Sequence, residues 1–588
     1  MNALRDALRD SLLAVGRLAQ GILDLVAVVL GNYYSFRFGA ITRRLGLGRS
    51  ISSSRRGFVV IQVDGVSHPH LQWAMDHGYA PTIRRLLRDE YTMAAWNPGL
   101  PCTTPAVQSA LMFGSSEGIA GYRWYDKALR RPVVCSSPGV MRGVQERLRR
   151  DRQGLLEGGS SYMNMVDGGA DLALFTLGAV GRQPFFSRVR GISFFALFAL
   201  NPLRAVKTVW LSIWEYLTDL VQRSMARLRR DIVRPLQRAF PFMRVMANVV
   251  LREIETFCVL VDIYRGVPAI YATYYGYDEV AHHYGVVAKP AMRALSAVYT
   301  RIRQIERFLR LGLAREYDLY LLSDHGMTAS VPFELAYGQT LGQTIAAIAQ
   351  QRIVDARGQE SVPSLQDRYF QEELAEIIDR RSRLVVAISR RLKRVIVGQR
   401  PLAPSAAPLE EAGGVVSSSG PLSHLYLHAA DWQMDMDEVM RVSPNLVAEL
   451  AAHPGIGLVV GRQGADVVIV GSEGVLTCGG AQSQGRRYDV QGYDPLAGLP
   501  NRPAVANDVY RLARFPESGD LLLFGAVQHE TGEVVSFEKQ WACHGGVGGP
   551  QNVAFLVSKT ARAWDAEGIT GPADLYAHLL RRHAPASD

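Results

Sequence analysis

The sequence predicts an α/β protein: a mixed, mostly parallel sheet flanked by helices, with helical insertions. Short apolar runs typical of buried strands occupy residues 58–63, 269–275 and 319–323, and acidic and histidine residues follow each run closely. Parallel strands bring their carboxyl ends to one edge of a sheet. The polar residues at these strand ends therefore predict a functional site along that edge.

The segment between the second and third of these strands has helical periodicity. After Pro290, apolar residues repeat every three or four positions, at Leu295, Val298, Ile302, Ile305 and Leu309. This spacing predicts an amphipathic helix with proline in its first turn. Further strands are predicted at 422–428, 458–462, 465–470 and 521–526.

Composition supports a folded protein. The 588 residues are 48% hydrophobic and 20% charged, which excludes collagen, a coiled coil and a wholly disordered chain. The five cysteines are scattered without a CxxC pair, which argues against a disulfide framework and a thiolate zinc site. The net charge of +10 predicts an anionic partner, and nucleic acid, an anionic bilayer and a phosphorylated substrate compete for that role.

Interruptions of the strand and helix pattern define the predicted domain organisation. The catalytic core is predicted in three parts, at residues 56–180, 265–345 and 413–588. A basic, aromatic helical insertion at 185–257 separates the first two parts, and a helical insertion at 365–402 separates the last two. An apolar or amphipathic helical segment at 1–50 precedes the core.

The N-terminal segment is apolar from Ser11 to Tyr34, but Arg17, Gln20 and Asp24 interrupt it before the roughly 20 apolar residues of a spanning helix accumulate. It is therefore either a membrane-associated helix or a helix packed on the protein itself. Six arginines lie between residues 37 and 56, so the positive-inside rule predicts a catalytic domain on the cytoplasmic face of a membrane. Export with anchorage by this segment is the alternative.

The insertion at 185–257 combines aromatic runs with twelve Lys or Arg and five Asp or Glu residues, a net charge of +7. Pro202, Pro235 and Pro241 divide it, which predicts several short helices lying in a membrane interface. Basic residues interleaved with large apolar ones favour an anionic membrane surface, and no nucleic-acid partner is expected. A helical cap whose aromatic residues form a small core is the alternative.

Carboxylates and imidazoles follow the three strands. They are Asp64, then Asp278 with His282 four residues later, and then Asp324 with His325. Carboxylate and imidazole without thiolate suit Zn²⁺ or Mn²⁺. A single Asp after a strand is more often a helix cap, and a single His more often structural. The prediction of two divalent metal ions therefore depends on these residues occurring together.

At these motifs the chain resembles a known family. The segments VDG at 63–65, PCTTPAVQSALMFG at 101–114, DEVAHHYG at 278–285, SDHGM at 323–327 and HGG at 544–546 resemble the alkaline phosphatase superfamily, and in particular its type I phosphodiesterase and nucleotide pyrophosphatase branch. The resemblance implies a phosphoester hydrolase with a threonine or serine nucleophile between two divalent metals, of which Zn²⁺ is expected first. One metal would take Asp64, Asp324, His325 and the nucleophile; the other would take Asp278, His282 and His544.

The resemblance also selects a nucleophile from the adjacent Thr103 and Thr104. The family has a glycine ten residues after the nucleophile, and Gly114 stands ten residues after Thr104. A phosphothreonine intermediate on Thr104 is implied. Cys102 is interpreted as a small buried residue because thiolate transfer does not need this set of metal ligands.

Two residues bear on the substrate. Val107 stands where the pyrophosphatase branch has an asparagine that contacts phosphate, a departure that argues against nucleotides. Arg123 is predicted to bind a phosphate oxygen, and a solvated arginine is the alternative. We therefore expect a phosphodiesterase or phosphatase acting on a membrane-derived or lipophilic phosphate ester. A phosphotransferase of phospho-headgroups and a non-catalytic membrane scaffold are the alternatives.

Overall fold

The computed structural model describes residues 55–180, 202–228, 245–311, 315–356, 412–482, 485–528, 530–560 and 569–583. The predicted segments at 1–50 and 365–402 lie outside the described residues, as do parts of the insertion at 185–257.

The strands of the described residues, in chain order, are β1 (Gly57–Val63), β2 (Tyr91–Trp96), β3 (Arg123–Asp126), β4 (Arg131–Val134), β5 (Ser160–Tyr162), β6 (Leu172–Leu174), β7 (Ala269–Tyr274), β8 (Tyr317–Leu322), β9 (Thr328–Pro332), β10 (Ile353–Asp355), β11 (Gly414–Ser419), β12 (Leu422–Leu427), β13 (Ile456–Gln463), β14 (Asp466–Val470), β15 (Gly474–Gln482), β16 (Gly485–Gly492), β17 (Leu521–Gly525), β18 (Val534–Ser536), β19 (Ala542–Cys543) and β20 (Ala554–Lys559).

The α-helices are α1 (His68–Asp76), α2 (Pro81–Asp89), α3 (Thr104–Phe113), α4 (Pro138–Leu148), α5 (Pro202–Leu228), α6 (Arg252–Arg265), α7 (Gly276–Tyr284), α8 (Lys289–Leu309), α9 (Phe333–Tyr337), α10 (Leu341–Ala349), α11 (Met436–Val442), α12 (Leu446–Ala452), α13 (Arg502–Ala513) and α14 (Pro572–His583). A π-helical turn at Met246–Leu251 precedes α6.

A seven-stranded sheet in the order β2-β20-β8-β1-β7-β5-β6 forms the centre of the molecule. Strands β8, β1, β7, β5 and β6 run parallel to one another. Strand β20 pairs antiparallel with β8, and β2 pairs antiparallel with β20, so β2 runs in the same direction as the parallel strands. In its middle, Val60 pairs with Tyr271 of β7 and Tyr320 of β8. Every residue of β1 is buried, as expected for a parallel strand covered on both faces. The predicted mixed, mostly parallel sheet flanked by helices is confirmed.

A second sheet was not anticipated. Eight strands in the order β10-β11-β12-β17-β13-β14-β15-β16 are paired antiparallel except for β10 with β11. Two further apolar clusters of buried residues accompany this sheet. Four of its strands, β12, β13, β14 and β17, were predicted, whereas β10, β11, β15 and β16 were not. Strand periodicity does not encode which strands pair, so the separate sheet was missed.

The insertion at 185–257 differs from its prediction in two ways. Instead of several short helices, residues 202–228 form one helix of 27 residues, α5. Pro202 is its first residue and no proline or glycine follows within it, so nothing in the sequence breaks the helix after its start. The predicted boundary at Phe257 falls inside α6, a helix whose residues 252–263 are buried.

Candidate active site

The predicted metal ligands meet at the carboxyl edge of the seven-stranded sheet. Asp64 directly follows β1, and Asp324 follows β8 after one serine. Asp278 lies in the first turn of α7, which begins two residues after β7. His544 arrives from the far end of the chain, directly after β19, which pairs with β9 just beyond the SDHGM motif. The topology thus gathers residues separated by almost 500 positions in the sequence.

The first cluster of side chains is fully buried and contains Asp64, Asp324 and His325. His325 Nε2 lies 3.5 Å from Asp64 Oδ1 and 3.3 Å from Asp324 Oδ2. The Thr104 hydroxyl lies 3.2 Å from the same nitrogen. Two carboxylates and one hydroxyl therefore lie within 3.5 Å of the same buried imidazole nitrogen, His325 Nε2.

The second cluster adjoins the first and contains Asp278, His325 and His544. His544 Nε2 lies 3.8 Å from Asp278 Oδ1, and the His325 and His544 rings stack with centroids 3.7 Å apart. His282 approaches the other oxygen of Asp278, with Nε2 at 3.3 Å from Oδ2. The side chains of Asp278, His282 and His544 keep 13–15% exposure, so the site opens to solvent on this side.

Backbone carbonyl groups fix the orientation of all three imidazoles. The Nδ1 atoms of His282, His325 and His544 contact the carbonyl oxygens of Ala542, Gly326 and Cys102 at 2.7, 2.9 and 2.9 Å respectively. A carbonyl oxygen only accepts hydrogen bonds, so each Nδ1 carries the proton and donates it. The Nε2 atoms then face the carboxylates, and with Nδ1 engaged on a carbonyl this is the nitrogen that each ring could offer to a metal.

Several carboxylate oxygens in the site accept no hydrogen bond from the protein. They are Oδ1 of Asp64, Oδ1 of Asp278 and both oxygens of Asp324, all buried. A buried carboxylate without a compensating partner costs several kcal/mol, and a divalent cation held by oxygen and imidazole nitrogen supplies that compensation. The donor set therefore fits the divalent metals predicted from the sequence.

The electrostatics of the site also favour bound cations. Burial and the neighbouring charges of Asp324 and Asp278 raise the pKa of Asp64 well above its usual value. Burial, together with Asp278, raises the pKa of Asp324 to about 6. Burial lowers the pKa of His325 to about 4, which keeps that ring neutral. The adjacent His282 lowers the pKa of Asp278 despite its burial, so Asp278 is ionised and opposes the ionisation of Asp64 and Asp324. Divalent cations would relieve this repulsion.

Local structure positions Thr104 rather than Thr103 in the site. Thr103 precedes α3 with an extended backbone, and Thr104 is the first residue of the helix, followed by Pro105. The helix dipole favours negative charge at this end, where a phosphate would sit. The Thr103 hydroxyl is buried and makes no hydrogen bond, whereas the Thr104 hydroxyl contacts His325. This geometry supports the prediction of Thr104 as the nucleophile.

A buried polar network beneath α3 was missed by sequence reasoning. The Gln108 amide nitrogen donates to Gln62 Oε1 at 3.0 Å and to the Thr273 hydroxyl at 3.0 Å. Thr273 in turn donates to Asn164 Oδ1 at 2.6 Å. The network ties α3, which begins at Thr104, to β1 and β7, the strands that precede two of the carboxylates. Its one signal in the sequence is a glutamine inside the apolar run FVVIQV.

The Cys102 thiol is poorly suited to act as a nucleophile. Its side chain is fully buried, and its sulfur accepts a hydrogen bond from the Gly545 backbone nitrogen at 3.1 Å. Burial raises the pKa of the Cys102 thiol to about 12, so the thiolate is scarce near neutrality. The carbonyl of the same residue orients His544.

Arg123, predicted to bind a phosphate oxygen, forms an ion pair with Glu538. It lies on β3, and its backbone nitrogen donates to the Ser419 hydroxyl at 3.0 Å. Glu538 also accepts a hydrogen bond from the Gly420 backbone nitrogen at 2.7 Å. The guanidinium is thus ion-paired and partly exposed, and its role toward phosphate stays a prediction.

Comparison with known proteins gives the family. The sequence model of the family described as Type I phosphodiesterase / nucleotide pyrophosphatase matches residues 58–383, more than half of the chain. The chain belongs to this family, and it is a phosphoric ester hydrolase. No curated protein matches the sequence.

Several solved structures resemble the chain. Phosphonoacetate hydrolase from Sinorhizobium meliloti 1021 in complex with phosphonoformate is 13% identical, with 90% of this chain and 96% of that chain covered and a TM-score of 0.42. Murine ectonucleotide pyrophosphatase / phosphodiesterase 5 is 11% identical, with 91% and 96% covered and a TM-score of 0.39. Alkaline phosphatase PafA is 12% identical, with 86% and 92% covered and a TM-score of 0.42. Similarities of this size do not identify the substrate of this chain.

One substitution tests how closely the site is packed. Gly65, next to Asp64, has φ +74°, and a Cβ added there would lie 2.5 Å from Asp278 Oδ1. We expect Gly65→Ala to displace the Asp278 carboxylate. Because that carboxylate is a proposed ligand, the amount of bound metal and the turnover rate should both fall by roughly tenfold or more. Metal content and hydrolysis of an aryl phosphate ester measure the effect.

Gly78 supplies the matched control. Its φ is +76°, but a Cβ added there meets no atom within 4 Å. Gly78→Ala therefore imposes the same backbone strain, on the order of 1 kcal/mol, without touching the site. Equal activity of the two variants would show that the contact between Gly65 and Asp278 does not matter to function.

Proposed function

We propose that this protein is a metal-dependent phosphodiesterase or phosphatase that uses Thr104 as a covalent nucleophile. Asp64, Asp324 and His325 would hold one divalent ion beside Thr104, and Asp278, His282 and His544 would hold the other. Zn²⁺ is the preferred ion and Mn²⁺ the second choice, because the donors are carboxylate oxygen and imidazole nitrogen without sulfur.

One observation carries the proposal. The Thr104 hydroxyl lies 3.2 Å from His325 Nε2, a nitrogen that is itself within 3.5 Å of two buried carboxylates. A threonine with only a structural role would not require these carboxylates beside it, and several of the carboxylate oxygens in the site accept no hydrogen bond.

The ions, when bound, would lower the pKa of the nucleophile and stabilise the charge on the phosphoryl group and the leaving oxygen. The chain's own residues position the reaction. The Thr104 hydroxyl would give up its proton as its oxygen bonds to phosphorus, while the bond to the leaving group breaks and the leaving oxygen takes up a proton to depart as an alcohol. Water would then attack phosphorus and break its bond to the Thr104 oxygen, which regains a proton, so that a diester yields a phosphomonoester and a monoester yields phosphate. A phosphoryl group bonded to Thr104, the first residue of α3, would lie at the positive end of the helix dipole.

The two clusters of side chains differ in their exposure to solvent, and this difference indicates from which side a substrate enters. The cluster of Asp64, Asp324 and His325 is closed to solvent, whereas Asp278, His282 and His544 are partly exposed. We infer that the substrate enters on the side of the second cluster. Val107, a buried apolar residue one turn into α3, gives the phosphate no amide donor of its own. Because the nucleotide pyrophosphatase branch has an asparagine at this position, the departure argues against a nucleotide, and we infer a lipophilic or membrane-derived phosphate ester instead.

A metal-depletion assay on the full chain tests this function. We expect chelation to abolish hydrolysis of bis(4-nitrophenyl) phosphate or 4-nitrophenyl phosphate, and added Zn²⁺ or Mn²⁺ to restore it. The relative rates on the two compounds decide between diester and monoester preference. Thr104→Ala protein purified in parallel measures contaminating phosphatase. Undiminished hydrolysis by metal-free protein would refute the proposal.

A further inference from the structure

Helix α5 presents apolar side chains to solvent along most of its length. Nine large apolar residues are between 47% and 66% exposed: Val206, Val209, Trp210, Ile213, Trp214, Tyr216, Leu217, Leu220 and Val221. At 100° per residue they occupy one side of the helix, an arc of about 160°. We refer to these nine residues as the apolar face of α5.

The side of α5 turned towards the protein is more polar than the side turned away. The buried residues there are Thr208 and Leu211. Glu215, also on this side, interacts electrostatically with the buried Arg252 of α6. A surface helix of a soluble protein normally does the reverse and buries its apolar stripe. The exposed stripe is therefore a surface that meets something other than water.

The helix is attached at the edge of the sheet that carries the candidate active site. It contacts the π-helical turn at Met246–Leu251. Asn248 of that turn lies against Gly276, because a Cβ added at Gly276 would be 2.2 Å from Asn248 Oδ1. Gly276 opens α7, the helix that holds Asp278 and His282.

We propose that the apolar face of α5 docks on an anionic lipid bilayer and lies in the plane of its interface. From Val206 to Val221 the face is about 23 Å long at 1.5 Å per residue, and among the described helices none is long and apolar enough to cross a bilayer. Trp210, Trp214 and Tyr216 are residue types that concentrate at the boundary between headgroups and acyl chains. An amphipathic helix of this kind lies on a membrane rather than across it.

Two partners could cover the apolar face of α5, an anionic bilayer or a second copy of the chain, and the net charge favours the bilayer. The segment at 185–257 carries a net charge of +7, so pairing two copies through α5 would bring two such segments together. An anionic leaflet instead attracts basic residues, by about 1 kcal/mol for each one near the surface. The net charge of the segment that contains α5 therefore favours an anionic membrane over self-association.

Docking through α5 would hold the sheet edge with Asp278 and His282 near the bilayer. If the proposed function is right, a phosphate ester could then reach the site from the membrane surface. The docking itself does not depend on that function, because it rests on the exposure of a helix outside the site and on the net charge of the segment at 185–257.

Vesicle flotation of the full chain tests the proposal. The variant carries Trp210→Asn, Trp214→Asn and Leu217→Asn, three exposed positions at which folding should be unaffected. The matched control carries Leu129→Asn, Leu335→Asn and Tyr493→Asn, which are at least as exposed but lie elsewhere. With vesicles of phosphatidylcholine and phosphatidylglycerol, we expect the α5 variant to bind roughly tenfold or more weakly than the wild type and the control to bind like the wild type. Omitting phosphatidylglycerol should weaken wild-type binding.

Two further measurements separate the outcomes. Hydrolysis of a soluble aryl phosphate should be equal in the wild type and the α5 variant, which reports folding and tests the proposed function independently; flotation with no hydrolysis in either protein would refute the function and leave the docking intact. A second triple variant, Ile22→Asn, Val26→Asn and Val29→Asn, tests the N-terminal segment. Equal flotation of the α5 variant and the wild type, loss confined to the N-terminal variant, or a wild-type dimer that dissociates in the α5 variant would each overturn the proposal.

Discussion

Replacing Thr104 by alanine should reduce turnover by roughly a thousandfold or more, since the covalent route loses its nucleophile. The same change should leave the bound metal largely in place, because the carboxylates and imidazoles around the site remain. Steady-state hydrolysis of an aryl phosphate ester, with metal content measured on the same preparation, tests both statements.

Thr103→Ala is the matched control for that change. The Thr103 hydroxyl is buried and makes no hydrogen bond, so its removal costs the fold little and removes no contact in the site. We expect this variant to retain a measurable part of the wild-type turnover. If Thr103→Ala were as inactive as Thr104→Ala, the choice of nucleophile would be wrong.

The second large effect concerns the buried cluster. Asp324→Asn and His325→Gln each remove a proposed ligand beside Thr104, and we expect activity to fall by at least roughly two orders of magnitude. Elemental analysis should find two divalent ions per wild-type chain and fewer in each variant. Finding no transition metal in active protein would contradict the account.

His453→Gln controls for the loss of a histidine as such. His453 stacks on Phe333 in the part of the molecule built on the second sheet, and it is not among the proposed ligands. This variant should keep its metal and its activity. A comparable loss in both histidine variants would mean that the effect of His325→Gln reflects stability rather than metal binding.

The sequence was sufficient to predict the central sheet and the grouping of the site residues. Asp64, Asp278 and Asp324 follow three apolar runs, and the carboxyl ends of parallel strands necessarily meet at one edge. His544 could not be placed by that reasoning, since it follows a two-residue strand, β19. Its assignment depended on the resemblance to the family.

Features that depend on tertiary contacts were beyond the sequence. The eight-stranded sheet requires knowing that β12 pairs with β17 almost 100 residues later, and local periodicity carries no such information. The carbonyl groups that orient the imidazoles belong to residues whose own side chains have no role in the site. The partner of Arg123, Glu538, lies 415 positions away.

The exposure of the apolar face of α5 also could not be predicted from the sequence. The sequence predicted a basic, aromatic helical region, and Trp210 and Trp214 were expected either to meet a membrane or to form a small core. Only the structure bears on the second alternative, because it shows which side of the helix is turned to the protein, and contact with a membrane stays a proposal. Both tryptophans are about half exposed, which excludes a closed core around them.

Acid quenching during turnover, followed by mass spectrometry of the proteolysed chain, tests the central claim most directly. The account predicts a phosphorylated peptide containing residues 101–114 with the phosphate on Thr104, formed only in metal-loaded protein and absent from Thr104→Ala. Phosphate on Thr103 or Cys102, or the same phosphopeptide in metal-free protein, would contradict it.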